Sequence, residues 1–239
     1  MSSDPPRGDA LIEHILRHGD TGGEISNDLI NEFYRHNYPV EKLIPLLCSE
    51  NNETVRTGAF LVEELGAKAA PLLPEMVHLL DHTDVWVKSG VLSAVLIAAT
   101  DQNGEIMGEA VSSITDDKRS IRRKAFELMA RVDSTSLAAG VPYVRDLEIV
   151  ALLKWVLEVE GESRDDGEIA SRLQEDGLRQ IFAVVAAARI YRRNPHYLQR
   201  ATSMSESEAQ TLAASELTWL SKLDAQAQRR RERAEQGNG

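Results

Sequence analysis

The stretch 55-VRTGAF-60 returns as 87-VKSGVL-92 and again as 121-IRRKAF-126. Steps of 4, 7, 8 and 11 from Val55 select Val55, Ala59 and Val62, after which Glu63 and Gly66 interrupt. The same steps from Val87 give Val91, Ala94, Val95 and Ala98, and from Ile121 they give Ala125, Leu128, Met129 and Val132. Residues at those spacings share one face of an α-helix, so each copy predicts a helix with one apolar stripe. Gly66 ends the first stripe as a helix-terminating glycine would. Fainter copies start at Ile25 (Leu29 and Phe33, interrupted by Glu32), at Ile149 (Leu153, Val156, Leu157) and at Ile181 (Val185, Ala188). The intervals between starting points are 30, 32, 34, 28 and 32 residues, a period in the range of helical repeat arrays.

A second apolar segment precedes each of these helices. Leu11, Ile12, Ile15 and Leu16 precede the Ile25 helix, "EKLIPLLCSE" the Val55 helix, and "PLLPEMVHLLDH" and "GEIMGEAVSSITDD" the next two; "SLAAGVPYV" and "GEIASRLQEDG" follow more weakly. The connections "ENNE", "HTD" and "DDKRS" are short, polar and turn-like. The unit is therefore an antiparallel helix pair, and one pair cannot bury its own stripe. The expected fold is all-α: an α-solenoid of about six stacked antiparallel helix pairs with a C-terminal capping helix, against the alternative of a compact helical bundle.

Residues 1–8 are expected to be disordered, 9–193 to form the array, and 194–233 to hold a linker and the capping helix, with a disordered tail at 234–239. Pro195 marks the break, Ser205 with Glu208 makes a capping box, and Ala209, Leu212, Ala213, Leu217 and Leu220 make the last stripe. The run "RRRER" at 229–233 reads as a solvated charged tail.

The net charge of −11 disfavours a polyanionic partner, because phosphate binding depends on Lys and Arg. The single cysteine, Cys48, sits beside Leu46 and Leu47 and is expected to be a small buried apolar residue in a reducing compartment. With no secretory leader and no run of about 20 apolar residues, the expectation is a cytoplasmic protein away from membranes.

The stretches 46-LLCSENNETVRTGAFLVEELG-66, 79-LLDHTDVWVKSGVLSAVLIA-98 and 114-ITDDKRSIRRKAFELMARV-132 resemble HEAT repeats, with paired apolar residues, an acidic turn, and a basic residue after the first stripe position. The resemblance covers about residues 41–133. It implies stacked helix pairs whose second helices line a concave surface. It also implies structural roles for Arg56, Lys88 and Arg122, with Glu53, Asp84 and Asp117 as candidate acidic partners in the adjoining turns. A row of ligand-binding basic residues is the alternative.

Chemistry is thinly signalled. His14 with His18 and His78 with His82 have i, i+4 spacing, but no third ligand is well placed, so no metal and no cofactor is expected. The repeated His-Glu dipeptides of the HEAT-like deoxyhypusine hydroxylases do not occur. Similarity to the HEAT-like alkylpurine DNA glycosylases implies aromatic contacts from Trp86 or Trp155 and an acid from Asp84 or Glu64. The net charge stands against that reading, and Trp86 is also readable as packing beneath the inter-helix turn.

What remains is surface. Steps of 2, 6 and 9 select Thr57, Leu61 and Glu64, then Ser89, Ser93 and Leu96, then Arg123, Glu127 and Ala130. Step 5 gives Phe60, Leu92 and Phe126, expected as contacts between repeats. The expected function is a non-catalytic protein-binding module (adaptor, scaffold or inhibitor) that takes another protein, one with a basic surface, on its concave face. The candidate contacts are Leu61, Glu64, Trp86, Ser89, Ser93, Leu96, Arg123 and Glu127, with Leu61 and Leu96 the apolar ones expected to be exposed.

Overall fold

A computed structural model describes residues 7–20, 23–161 and 166–191. The chain is all-helical, with no strand among the described residues. The linker, capping helix and tail expected over 194–239 lie outside them. In chain order the α-helices are α1 (Arg7–His18), α2 (Glu24–Arg35), α3 (Ile44–Leu47), α4 (Asn52–Leu65), α5 (Val85–Ala98), α6 (Gly104–Ser112), α7 (Arg119–Arg131), α8 (Ser134–Gly140), α9 (Leu147–Gly161), α10 (Asp166–Arg172) and α11 (Gly177–Tyr191). No described helix is long and apolar enough to cross a membrane. The stretch 9–193, expected as one array, falls into two compact units divided between Val150 and Ala151.

In the first unit the segments pack in two layers. One runs α1, α3, the helical segment Gly66–Asp81, α6 and α8; the other runs α2, α4, α5 and α7, each touching the next. Across the layers α1 meets α2, α3 meets α4, Gly66–Asp81 meets α5, and α6 meets α7. The repeated stripe is the core between them: Val55, Ala59 and Val62, Val87, Val91, Ala94 and Val95, and Ile121, Ala125, Leu128 and Met129 are all buried. Each larger aliphatic side chain so buried stabilises the fold by about 1.5–3 kcal/mol relative to leaving it in water.

Local chemistry sets the helix ends. The Asn51 side chain accepts the backbone N–H of Glu53 at 2.9 Å and opens α4, and Gly66 closes it at φ 56°, a left-handed angle costly for other residues. Asp84 and Asp133 open α5 and α8 in the same way. The segment Gly66–Asp81, expected as an ordinary first helix, is a 3-10 helix. Pro71 and Pro74 each remove a backbone donor, and the buried residues Leu73, Met76 and Leu79 recur every third position, the 3-10 period.

Three other expectations change. Cys48 is exposed, because it follows the last residue of α3 and its predecessors Leu46 and Leu47 fill the core. Arg7 and Gly8 belong to α1, and Gly8 is buried against the Tyr38 ring. Lys88 pairs not with Asp84 but with Asp116, in the turn that leads into α7.

In the second unit α10 packs on α11, whose residues Phe182–Ala188 are all buried. Arg189 of α11 and Glu160 form a buried ion pair at 2.7 Å. The Trp155 indole donates to Glu168 at 2.8 Å and lies under the Arg172 guanidinium, 4.2 Å from the ring centroid.

Candidate functional site

The third position after each stripe start lies at a contact with another helix, with α3 for Gly58 and with α4 for Gly90. It is Gly58 in α4, Gly90 in α5 and Lys124 in α7. A Cβ on Gly90 would lie 3.0 Å from the Ala59 carbonyl oxygen, so glycine lets α5 close on α4. Lys124 instead sends its ammonium back over α5. Its Nζ donates to Ser93 Oγ and to the Ser89 carbonyl at 3.3 Å, and reaches Glu63 of α4 at 3.5 Å. One lysine thus ties three helices together across the face.

The three repeated basic residues do different work. Lys88 Nζ donates to Asp116 Oδ2 at 2.6 Å, and both side chains are largely buried, 18% and 11% exposed. Burial alone would raise the Asp116 carboxyl, but the Lys88 ammonium and the Lys118 backbone N–H outweigh it and hold the group below the ordinary carboxylate range. Arg122 donates to the carbonyls of Asp116 at 2.7 Å and Asp117 at 3.1 Å rather than to a carboxylate. Arg56 is exposed, makes no ion pair among the described residues, and lies over the Trp86 ring, 5.3 Å from its centroid.

Trp86 is the most exposed aromatic of this face, at 67%, and it does not pack beneath a turn. Its backbone N–H is held by Asp84 Oδ1 at 2.7 Å, which fixes the first turn of α5 and aims the indole outward. Phe60 of α4 is 43% exposed, whereas its counterparts Leu92 and Phe126 are buried. Between them opens a groove of about 350 Å³. Arg56, Thr57, Phe60 and Glu63 come from α4, Trp86 from α5, and Gly23 and Ser26 from the start of α2, with Asp20 before them. Asp20 is committed to the first turn of α2, accepting the backbone N–H of Ser26 at 2.8 Å and its hydroxyl.

Leu61, expected at this face, is fully buried (0% exposed): α4 is wedged against α2, α3 and α5, so its apolar arc is wider than one stripe. Leu96 is half-buried and its neighbour Ile97 is the exposed apolar residue instead. Ser89 and Ser93 are half-buried, their polar atoms engaged by Lys124. Glu127 pairs with Arg131, while Glu64 and Arg123 are exposed. The fold thus brings Trp86, Ser89, Ser93 and Glu64 to the α4–α5 region, beside Phe60, Arg56, Glu63 and Lys124. The sequence had offered Phe60 as a contact between repeats and Arg56 as a structural or ligand-binding basic residue, but had singled out neither Glu63 nor Lys124 as a contact.

No protein-family model matches this chain, and no curated protein matches it. Among solved structures it is similar to two engineered proteins from the Northeast Structural Genomics Consortium. One has a TM-score of 0.53 at 18% identity, covering 91% of this chain and 96% of that protein. The other has a TM-score of 0.51 at 14% identity, covering 91% and 94%. At these identities the likeness concerns the helical fold alone.

The catalytic signals stay scattered. His78 and His82 fall on and just after the 3-10 segment, where an i, i+4 pair no longer shares a face. His82 Nδ1 accepts the Asp84 backbone N–H at 3.0 Å. His14 and His18 lie with ring centroids 5.0 Å apart and planes tilted by 55°. Among the described residues no three potential metal ligands come together.

Proposed function

We propose that this chain is a non-catalytic protein-binding module, a HEAT-like α-solenoid of stacked helix pairs that takes another protein on the concave face formed by its second helices. The observation that carries the reading is the pair Phe60 and Trp86, two large exposed apolar side chains flanking an open groove. Exposed apolar side chains gathered around a groove characterise partner sites, and aromatic anchors carry much of the binding energy at such interfaces. Glu64, Leu96 and Arg123 extend the face on either side. The test is affinity capture from the native cell extract with the wild-type chain and with a Phe60→Asp, Trp86→Ala variant. A captured protein that disappears with the variant supports the reading, and one retained at equal yield contradicts it.

A second reading, a nucleic-acid-binding enzyme of the alkylpurine glycosylase kind, is favoured by one feature. Lys118, Arg119, Arg122, Arg123 and Lys124 cluster at the start of α7, in the same unit as the exposed Trp86. Trp155 is removed from that reading, since it is buried and bonded to Glu168. Duplex DNA binding that weakens steeply with salt would support it, and no binding at low salt would end it.

A further inference from the structure

The turns that lead into α5 and α7 share two features, although Asp84 is the N-cap of α5 whereas Asp116 stands two residues before Lys118, the N-cap of α7. In each, an aspartate accepts the backbone N–H two residues on: Asp84 from Trp86 at 2.7 Å, Asp116 from Lys118 at 2.7 Å. In each, a basic residue stands 28 positions earlier, Arg56 before Asp84 and Lys88 before Asp116. Lys88 uses the second oxygen of its aspartate. Arg56 makes no ion pair with Asp84 among the described residues and lays its guanidinium over the Trp86 ring. The position that closes one junction has been moved, at the other, onto an exposed aromatic surface.

That surface already shows what it accepts, because a guanidinium rests on it. A planar guanidinium stacks on indole and can at the same time fork to a carboxylate, which a lysine ammonium cannot do. A carboxylate is at hand. Glu63 lines the same groove and, among the described residues, is held by Lys124 alone, at 3.5 Å through one oxygen. Glu53 and Glu64 are exposed on the same helix, and the whole chain carries −11. The local field therefore favours an incoming cation over an anion.

Resting on the protein-binding reading, we propose that the groove between α2, α4 and α5 receives an arginine side chain of an extended segment of the partner protein. The arginine stacks against Trp86 and Phe60 and pairs with Glu63. Arg56 is the built-in occupant of the same platform, and it is displaced towards Asp84 when the partner binds. Arg56 is thereby a competitor of the ligand rather than a contact to it.

The sign of one substitution decides between these roles. Panning the full chain against a library of displayed random peptides is expected to enrich arginine-bearing sequences. Their synthetic forms should bind Trp86→Ala about tenfold more weakly and Glu63→Gln more weakly than wild type, and Arg56→Ala about two- to fivefold more tightly. Enrichment of acidic peptides that lose binding on Arg56→Ala overturns the inference, making Arg56 an anion clamp, yet leaves the protein-binding face standing. Peptides indifferent to Trp86→Ala remove this face as the binding site altogether. A library yielding nothing above a protein-free control also overturns the inference, while the capture experiment still decides the broader reading.

Discussion

The α4–α5 junction and the α5–α7 junction share a 28-residue spacing between a basic residue and a turn aspartate that accepts a backbone N–H, yet they end in different states. At α5–α7 a lysine and an aspartate close the turn with a largely buried ion pair, and Lys124 adds a second tie. At α4–α5 the arginine lies on an exposed tryptophan, and a groove opens beside it. On the other side, α2 and α4 are tied by the Tyr34 hydroxyl, which donates to the Glu64 carbonyl at 3.0 Å and satisfies the end of α4. An open junction between two closed ones shows that a repeat can keep its stacking while one copy gives up a structural contact. It locates where the chain has surface to use.

The largest predicted effect separates the core beneath the open junction from the surface within it. Leu61→Asp places a charge in a fully buried site and should cost on the order of 4 kcal/mol or more in urea unfolding, whereas Phe60→Asp, one residue away, should cost under about 1 kcal/mol. Similar losses at the two positions would erase the distinction. Next, Asp116→Ala removes a hydrogen bond within the turn before α7 and an ion pair together and should cost about 2–3 kcal/mol, while Asp84→Ala removes only the cap of α5 and should cost about 1 kcal/mol.

Acid should act on the closed junction. The folded-state pKa of Asp116 is depressed below the ordinary 3.8, so its contribution is full above that value and is lost as the pH falls below it. Denaturant midpoints followed from pH 6 downwards should therefore fall less for Asp116→Asn than for wild type. Asp133, held at about 2 by the Ser136 and Thr135 donors against the opposing effect of burial, contributes fully above 3.8 and loses that contribution progressively as the pH falls from there towards about 2. The smallest effect is expected at the open junction itself: Trp86→Ala and Arg56→Ala should leave stability within about 0.5 kcal/mol of wild type, since exposed side chains away from a cap or core contribute little.

Much of the fold was legible in the sequence, because burial on one face leaves a 3.6-residue period and because Asn51, Asp84 and Gly66 announce helix ends by their own chemistry. The exposed face was less legible, for identifiable reasons. Phe60, Leu92 and Phe126 share one step of the repeat, yet only Phe60 is exposed, so a single-helix pattern cannot assign their burial. Leu61 lies off the stripe but faces neighbours on that side of α4. Lys124 stands in a register occupied by glycine in the other two copies, which disguised a tie across three helices as a surface lysine. Trp86 did carry a signal: it follows a capping aspartate by two residues, in a first turn whose apolar stripe begins only at Val87.

The asymmetry between the two junctions is tested most directly by double-mutant cycles on Lys88/Asp116 and Arg56/Asp84, each residue replaced by alanine singly and together and stability measured by urea unfolding. Lys88 and Asp116 should couple by on the order of 1–3 kcal/mol, as expected for a largely buried charged hydrogen bond, and Arg56 and Asp84 should show no coupling beyond error. Equal coupling energies in the two cycles would contradict the account, because Arg56 would then be a closing residue like Lys88 and the junction beside Trp86 would not be open.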